Sequence, residues 1–365
     1  MKRFLFYILL IFVFFFPCNA ILAQDTANGE SEEEKELNVS DIIFGHIADS
    51  YEFDILTFKD KKIAISLPVI LISKNSGLNI FLSSKLDDGK TYKGFKIASG
   101  DSKYKDKIVE IVDDKEVRPF DLSITKNVVG IFFSCILLII IVLSVSKWYK
   151  RNPNDVPKGF RGAIDQLANS INDEVIKPSV GENSQKFAPF LLTMFFFILL
   201  SNILGLIPFF PAGANLTGNT SITLALALCT FFTVNVFGNK HYWKSILWPD
   251  VPILIKAVPI VPIIELFGIF TKPLALMLRL FANLLAGHAI VISICCVVFI
   301  TAKMGAALNA SMTFVSVFFM IFMDCIELLV SFIQAYIFTF LSAIFIGMAQ
   351  EKPEKEAVKK IEVKN

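Results

Sequence analysis

Two apolar stretches of this chain carry side chains that hydrocarbon penalises. Pro273–Ala289 (PLALMLRLFANLLAGHA) holds Arg279, Asn283 and His288, and Ile326–Thr339 (IELLVSFIQAYIFT) holds Glu327 and Gln334. Asp324 lies one turn before Glu327, and Glu265 stands ahead of the first stretch. An arginine at bilayer depth costs at least ~2.5–3.5 kcal/mol, so its retention marks a functional position. Imidazole titrates near neutral pH and can exchange a proton with a neighbouring carboxylate. Carboxamides keep their charge but orient water through hydrogen bonds. A guanidinium stays protonated, so it acts as a fixed cation rather than a carrier. Together these types describe two half-paths for protons separated by an arginine, a relay that needs a mobile partner bearing its own carboxylate.

Helical spacing sharpens this reading. Asn283 shares a face with Arg279 one turn away, and His288 is nine residues on, ~13 Å along the axis. Glu327 and Gln334 are two turns apart on one face. If the two stretches form an antiparallel pair with Gln334 opposite Arg279, His288 and Glu327 come opposite each other, with Asp324 beyond them. Simpler readings exist for most of these residues. A lone Asn or Gln in a membrane helix ordinarily joins helices, Glu265 fits an interfacial charge, and Lys272 fits a snorkelling one. Arg279 is the hardest to explain that way.

The elements that must position these groups are membrane helices. Of 365 residues, 54% are hydrophobic and 37 are Phe, gathered in runs long enough to span. The formal net charge is +2, but the charges crowd into residues 24–126, 147–186 and the tail after Gln350. No basic stripe with interleaved aromatics points to nucleic acid. The six cysteines lie in apolar runs without CxxC spacing, so neither a disulfide framework nor a metal site is expected. There is no GxxxxGK[ST] phosphate loop; nucleotide chemistry, and any cofactor, is expected elsewhere than on this chain.

Taken in order, residues 1–23 read as a signal peptide, with Lys2 and Arg3 before an apolar run. An acidic leader follows, and from Asp41 to about Asp121 short β-branched and aromatic runs alternate with turn signals such as Asn75-Ser76-Gly77. Residues 24–126 are therefore expected to form an extracytoplasmic region with a small β-containing part, in which His46 reads as a surface histidine. Asn127–Ser146, Phe187–Phe210 and Thr220–Phe237 read as spans, with the basic loop after the first marking the cytoplasmic side. The sequons at Asn215 and Asn219 lie in a very short loop and read as accidental. Trp248–Leu266 carries four prolines, which predict a broken interfacial segment. Phe267–Thr301 and Ser311–Ala349 would be ~50 and ~58 Å long as helices against a ~30 Å hydrocarbon core. They predict a strongly tilted two-helix hairpin turning at Lys303-Met304-Gly305. The tail 351–365 is expected in the cytoplasm. The expected class is an all-α polytopic membrane protein of about five transmembrane helices with a small exported β-containing region.

With Lys272-Pro273 ahead of the Arg279 motif, Gly205-Leu206-Ile207-Pro208 upstream and Gln334-Ala335-Tyr336-Ile337-Phe338 downstream, the chain resembles subunit a of the F-type ATP synthases over roughly residues 127–350. The resemblance implies a proton-translocating F0 stator subunit, non-catalytic on its own, in a bacterial inner membrane. It implies that Arg279 faces the carboxylate of the c-ring and that Asn283, His288, Glu327 and Gln334 line the inlet half-channel. Glu265 matches the acidic position of the outlet side. Its implied partners are the c-ring, peripheral stalk subunit b, the other F0F1 subunits and membrane lipid. Some members carry Glu where His288 stands and His where Glu327 stands; an exchange that keeps one of each suits a contacting pair. A stand-alone ion-coupled transporter would show internal repeats, which are absent. A membrane sensor built on residues 24–126 would leave Arg279 unexplained.

Overall fold

The computed structural model describes residues 49–351, apart from 59–60, 87–89, 99–101, 103, 105–106, 113–114, 208–212, 214, 248–259 and 303, and apart from the side chains at 54–63, 115, 247 and 260–263. Residues 1–23, expected as a signal peptide, the acidic stretch after them, His46, Pro208 and residues 352–365 lie outside these residues. The described residues cluster into two compact units, one holding Ala289–Met323 and the other, larger one the residues up to His288 and from Asp324 onward.

The larger unit begins with strands. β1 (Glu52–Phe58) pairs antiparallel with β2 (Lys61–Ser66). β3 (Pro68–Ser73) pairs with β4 (Gly77–Leu82). After β5 (Phe95–Ile97), β6 (Ile108–Val112) and β7 (Lys115–Val117), the short β8 (Phe120–Asp121) returns to the free edge of β3. Three small sheets result, in orders β1-β2, β4-β3-β8 and β5-β6-β7. The turn signal at 75–77 is a real hairpin, closed by Gly77 at φ 67°, a conformation glycine adopts without a Cβ penalty. Period-2 alternation turns Val69, Leu71 and Phe81 inward onto Tyr51, Leu86, Phe95 and Ile108. Buried Glu110 accepts hydrogen bonds from Ser73 Oγ and, at 2.8 Å, Ser76 Oγ, which satisfies a carboxylate that would otherwise be costly to bury.

β8 runs almost directly into α1 (Lys126–Arg151). Leu122 N–H donates to Ile70 O at 2.9 Å and Ile124 N–H to Pro68 O at 3.1 Å, so pairing continues nearly to the helix. Lys126 N–H then donates to Ser50 O and Asn127 N–H to Asp49 Oδ1, which satisfies two donors that a helix start leaves unpaired.

The basic stretch after α1 does contain a loop, residues 152–159, but Lys147, Lys150 and Arg151 close α1 and the chain is helical again from Phe160. α2 (Phe160–Ser170) passes through a π-turn (Ile171–Ile176) and two short helical turns (Lys177–Val180, Gly181–Asn183) into α3 (Ser184–Gly205). It is amphipathic: Ile171, Val175, Ile176 and Val180 are buried, while Asp173 and Lys177 form an exposed 2.7 Å ion pair. α4 (Thr220–Val236) bends by 103° into α5 (Lys240–Leu247). The sequons have structural roles: Asn219 caps α4 by accepting from Ser221 N–H, and buried Asn215 accepts from Gly218 N–H.

The last two helices exceed the lengths expected of them. α6 (Ile260–Ala302) has 43 residues and α7 (Ala306–Gln350) has 45, each ~65 Å at helical rise. α6 begins within the segment that four prolines led us to expect as broken. Pro262 falls in its first turn, where a missing N–H costs nothing, and Pro273 is absorbed inside. Among the described residues, four helices are long and apolar enough to cross a membrane, or five if the bent α4–α5 pair is one span. The expected class, a polytopic helical membrane protein with an N-terminal β region, is the observed one. In the larger unit, Leu191, Phe195 and Ile198 of α3, Ala227 of α4, Leu276 and Leu280 of α6, and Ala335, Phe338, Ala343 and Ile346 of α7 share one core. Gly347 lets α7 approach so closely that a Cβ there would lie 1.9 Å from Ser179 O.

Candidate functional site

All the polar residues singled out above belong to the larger unit. α6 buries Leu276, Met277, Leu280 and Leu284 against its neighbours. This leaves the opposite face, with Ala275, Leu278, Arg279, Ala282, Asn283 and Ala286, exposed. Arg279 therefore stands out from a strip on which three of the nearest positions are alanine. Among the described residues it has no ion-pair partner, although it sits on a strongly apolar helix.

The α7 side is the reverse. Glu327, Ser331 and Gln334 are buried, at 5, 1 and 8% exposure, and their spacing places them on one stripe. His288 Nδ1 lies 2.5 Å from Glu327 Oε1, so the structure brings together the two residues that antiparallel spacing set opposite each other. The contact has ion-pair distance without hydrogen-bond alignment, since Glu327 Oε1 is sealed from solvent and lacks an angularly acceptable donor. Asp324, one turn away, is exposed, as is Glu265 on the first turns of α6. Lys272 Nζ lies 5.5 Å over the ring of Phe345, a cation–π seat rather than a free snorkelling end.

Several members of the site were not singled out from sequence. A Cβ on Gly287 would meet Glu327 Oε1 at 3.0 Å and Cδ at 3.1 Å. Glycine costs ~1 kcal/mol relative to alanine inside a helix, and here it lets the carboxylate lie against the α6 backbone beside His288. A glycine in so strong a helical run was the available signal. Beyond Glu327, Asn202 Nδ2 donates to Ser331 O at 3.3 Å and Thr217 Oγ1 donates to Asn202 Oδ1 at 2.6 Å. Ser201 Oγ, Asn215 Nδ2 and Ser331 Oγ are buried nearby in sequence without a hydrogen-bond partner among the described residues. No group of three His, Cys, Asp or Glu side chains among the described residues has metal-binding geometry.

An exposed arginine without an ion-pair partner among the described residues and a buried His–Glu contact together define the site. The profile of the family described as ATP synthase A chain matches residues 131–347, more than half of the chain. The chain belongs to the ATP synthase A chain family. It is 42% identical over 247 residues to ATP synthase subunit a 2 of Chlorobaculum tepidum, covering 64% of this chain and 65% of that protein. It is 41% identical to ATP synthase subunit a of Chlorobium phaeobacteroides, with 64% and 67% covered. For the Myxococcus xanthus subunit a the identity is 39%, with 63% and 73% covered. The match to the first of these spans just under two thirds of that relative's length. Residues 42–125 match a separate family described only as a domain of unknown function, outside the residues that carry the ATP synthase A chain likeness.

Proposed function

We propose that this chain is the stator subunit of an F0 sector, passing protons through two offset half-channels to and from a rotating c-ring and so coupling proton flow to ATP synthesis. One observation carries the reading: Arg279 is exposed, without an ion-pair partner among the described residues, and framed by alanines on a helix whose other face is packed. A permanent cation so placed suits a carboxylate on another chain that slides past at close range. Alanine at 275, 282 and 286 leaves room for that chain.

In this reading protons arrive from outside past Asp324 to the His288–Glu327 pair, with Asn283 and Gln334 orienting water. The buried, unsatisfied hydroxyl and amide groups of Ser201, Asn215 and Ser331 suit a hydrated approach, because buried polar atoms without protein partners are ordinarily met by water. Arg279 blocks direct passage and obliges each proton to travel on the rotor before leaving past Glu265. Each charge that crosses yields ~2.3 kcal/mol per 100 mV. The chain carries no catalysis alone. Its partners are the c-ring, peripheral stalk subunit b and the remaining F0F1 subunits, in a bacterial inner membrane. Residues 1–23 serve as signal peptide, 24–126 lie outside, 127–350 form the membrane domain and 351–365 lie in the cytoplasm.

The test is Arg279→Ala in the assembled enzyme in inverted vesicles. ATP-driven proton pumping is expected to disappear while assembly persists; coupled pumping at the normal rate would overturn the reading.

A further inference from the structure

The sheet β4-β3-β8 has two apolar faces, and among the described residues only one of them is covered. Its inner face forms the core of the β region. On the other face Ile72, Leu78, Ile80, Leu82, Phe120 and Leu122 are each between 42 and 66% exposed. Register makes them one patch: Ile72 pairs with both Leu78 and Phe120, Ile70 with Ile80, and Pro68 with Leu82, while Leu122 joins through its N–H to Ile70 O. No charged side chain interrupts it. The largest contiguous apolar patches on soluble monomers, about 300–600 Å², are often interaction surfaces.

The position of the patch in the chain indicates its occupant. Leu122 is four residues before Lys126, the first residue of a helix apolar enough to span, so at most ~14 Å of extended chain separates them. The link has no slack, because Ile124, Lys126 and Asn127 are all hydrogen-bonded back to the β region. The patch is thereby held within reach of the headgroup layer, which adds roughly 5–8 Å to each side of the hydrocarbon core. Its rim carries exposed cations: Lys74 directly follows β3 and Arg118 lies two residues before β8. Apolar side chains bordered by cations are the composition of surfaces that rest in an anionic lipid interface.

We propose that this sheet face is a lipid-binding surface, seated in the headgroup–acyl boundary of the leaflet that α1 enters, with Lys74 and Arg118 at lipid phosphates. The membrane anchors the β region along a face, not only through α1.

The experiment uses the full chain within the assembled enzyme, its native cysteines replaced by serine. A nitroxide is attached at Ile80→Cys, at Phe120→Cys or at Thr91→Cys, the last on the exposed segment before Tyr92, which packs against the inner cluster. The enzyme is reconstituted in vesicles of phosphatidylethanolamine and phosphatidylglycerol. Collision with oxygen relative to a water-soluble nickel chelate is expected to be several-fold higher at 80 and 120 than at 91. Equal ratios at all three sites would overturn the proposal. So would labels at 80 and 120 that are immobilised and shielded from both reagents, which means a protein covers the face, or that couple magnetically to each other between enzymes. Leu78→Cys provides a second site on β4 if the label at 80 perturbs the strand.

Discussion

At the scale of single residues, the informative contrast is between Arg279 and the His288–Glu327 pair. One is charged and turned outward; the others are enclosed and turned on each other. That division follows from helix geometry, since nine residues along α6 separate Arg279 from His288 and place them on different sides of the axis. If His288 and Glu327 act as one unit, the double exchange His288→Glu with Glu327→His should retain more proton pumping than either single change. Each single change is expected to lose on the order of 10²-fold, the range of a general acid or base. Equal losses in all three, measured as ATP-driven acidification of vesicles, would argue against a shared role. The His288–Glu327 pairing was legible in sequence because rise per residue is the same in both helices, so nearly equal offsets bring the two residues to one height. The facing of Gln334 and Arg279 assumed with it does not appear, since Arg279 turns outward from α6. The Asn202–Thr217–Ser331 contacts were not legible. They join one helix to a loop and to a carbonyl on another, and no periodicity links those positions.

At the scale of elements, two features escaped the sequence. Prolines were read as barring a helix before Leu266, yet α6 begins at Ile260 because a first-turn proline gives up no hydrogen bond. The charges between 158 and 186 disguised an amphipathic run whose buried positions, Ile171, Val175, Ile176 and Val180, keep helical spacing across the π-turn. That run is clamped to α7 where Gly347 meets Ser179 O. Gly347→Ala should force the two apart and destabilise the packed helices by ~1–3 kcal/mol, the usual cost of overpacking. The measurement is the thermal aggregation midpoint of the purified protein in detergent, which should fall relative to the unsubstituted protein.

At the scale of the molecule, the chain joins a β region and a membrane domain whose relatives belong to different families. The β region has its own core and its own titration behaviour. Tyr51 OH lies 2.5 Å from Asp121 Oδ2, and burial, reinforced by Asp121, pushes the tyrosine well above its ordinary value. A raised folded pKa means stability present below the ordinary tyrosine value of ~10 and lost as pH rises beyond it. Proteolysis of the β region in the intact protein is therefore expected to accelerate above about pH 10. Tyr51→Phe should remove that step, at the cost of some stability at neutral pH. A profile unchanged by the substitution would count against the Tyr51–Asp121 account.

The junction between β8 and α1 also bears on the order of events in biosynthesis. β8 is the last strand of the β region and closes the free edge of β3, so that region cannot complete its sheet until residues 120–124 are available. Those residues are the last before α1. Since chains emerge N-terminus first, final folding of the β region and insertion of the first internal span fall at nearly the same moment. A delay in either would leave the β3 edge open for a stray strand to take.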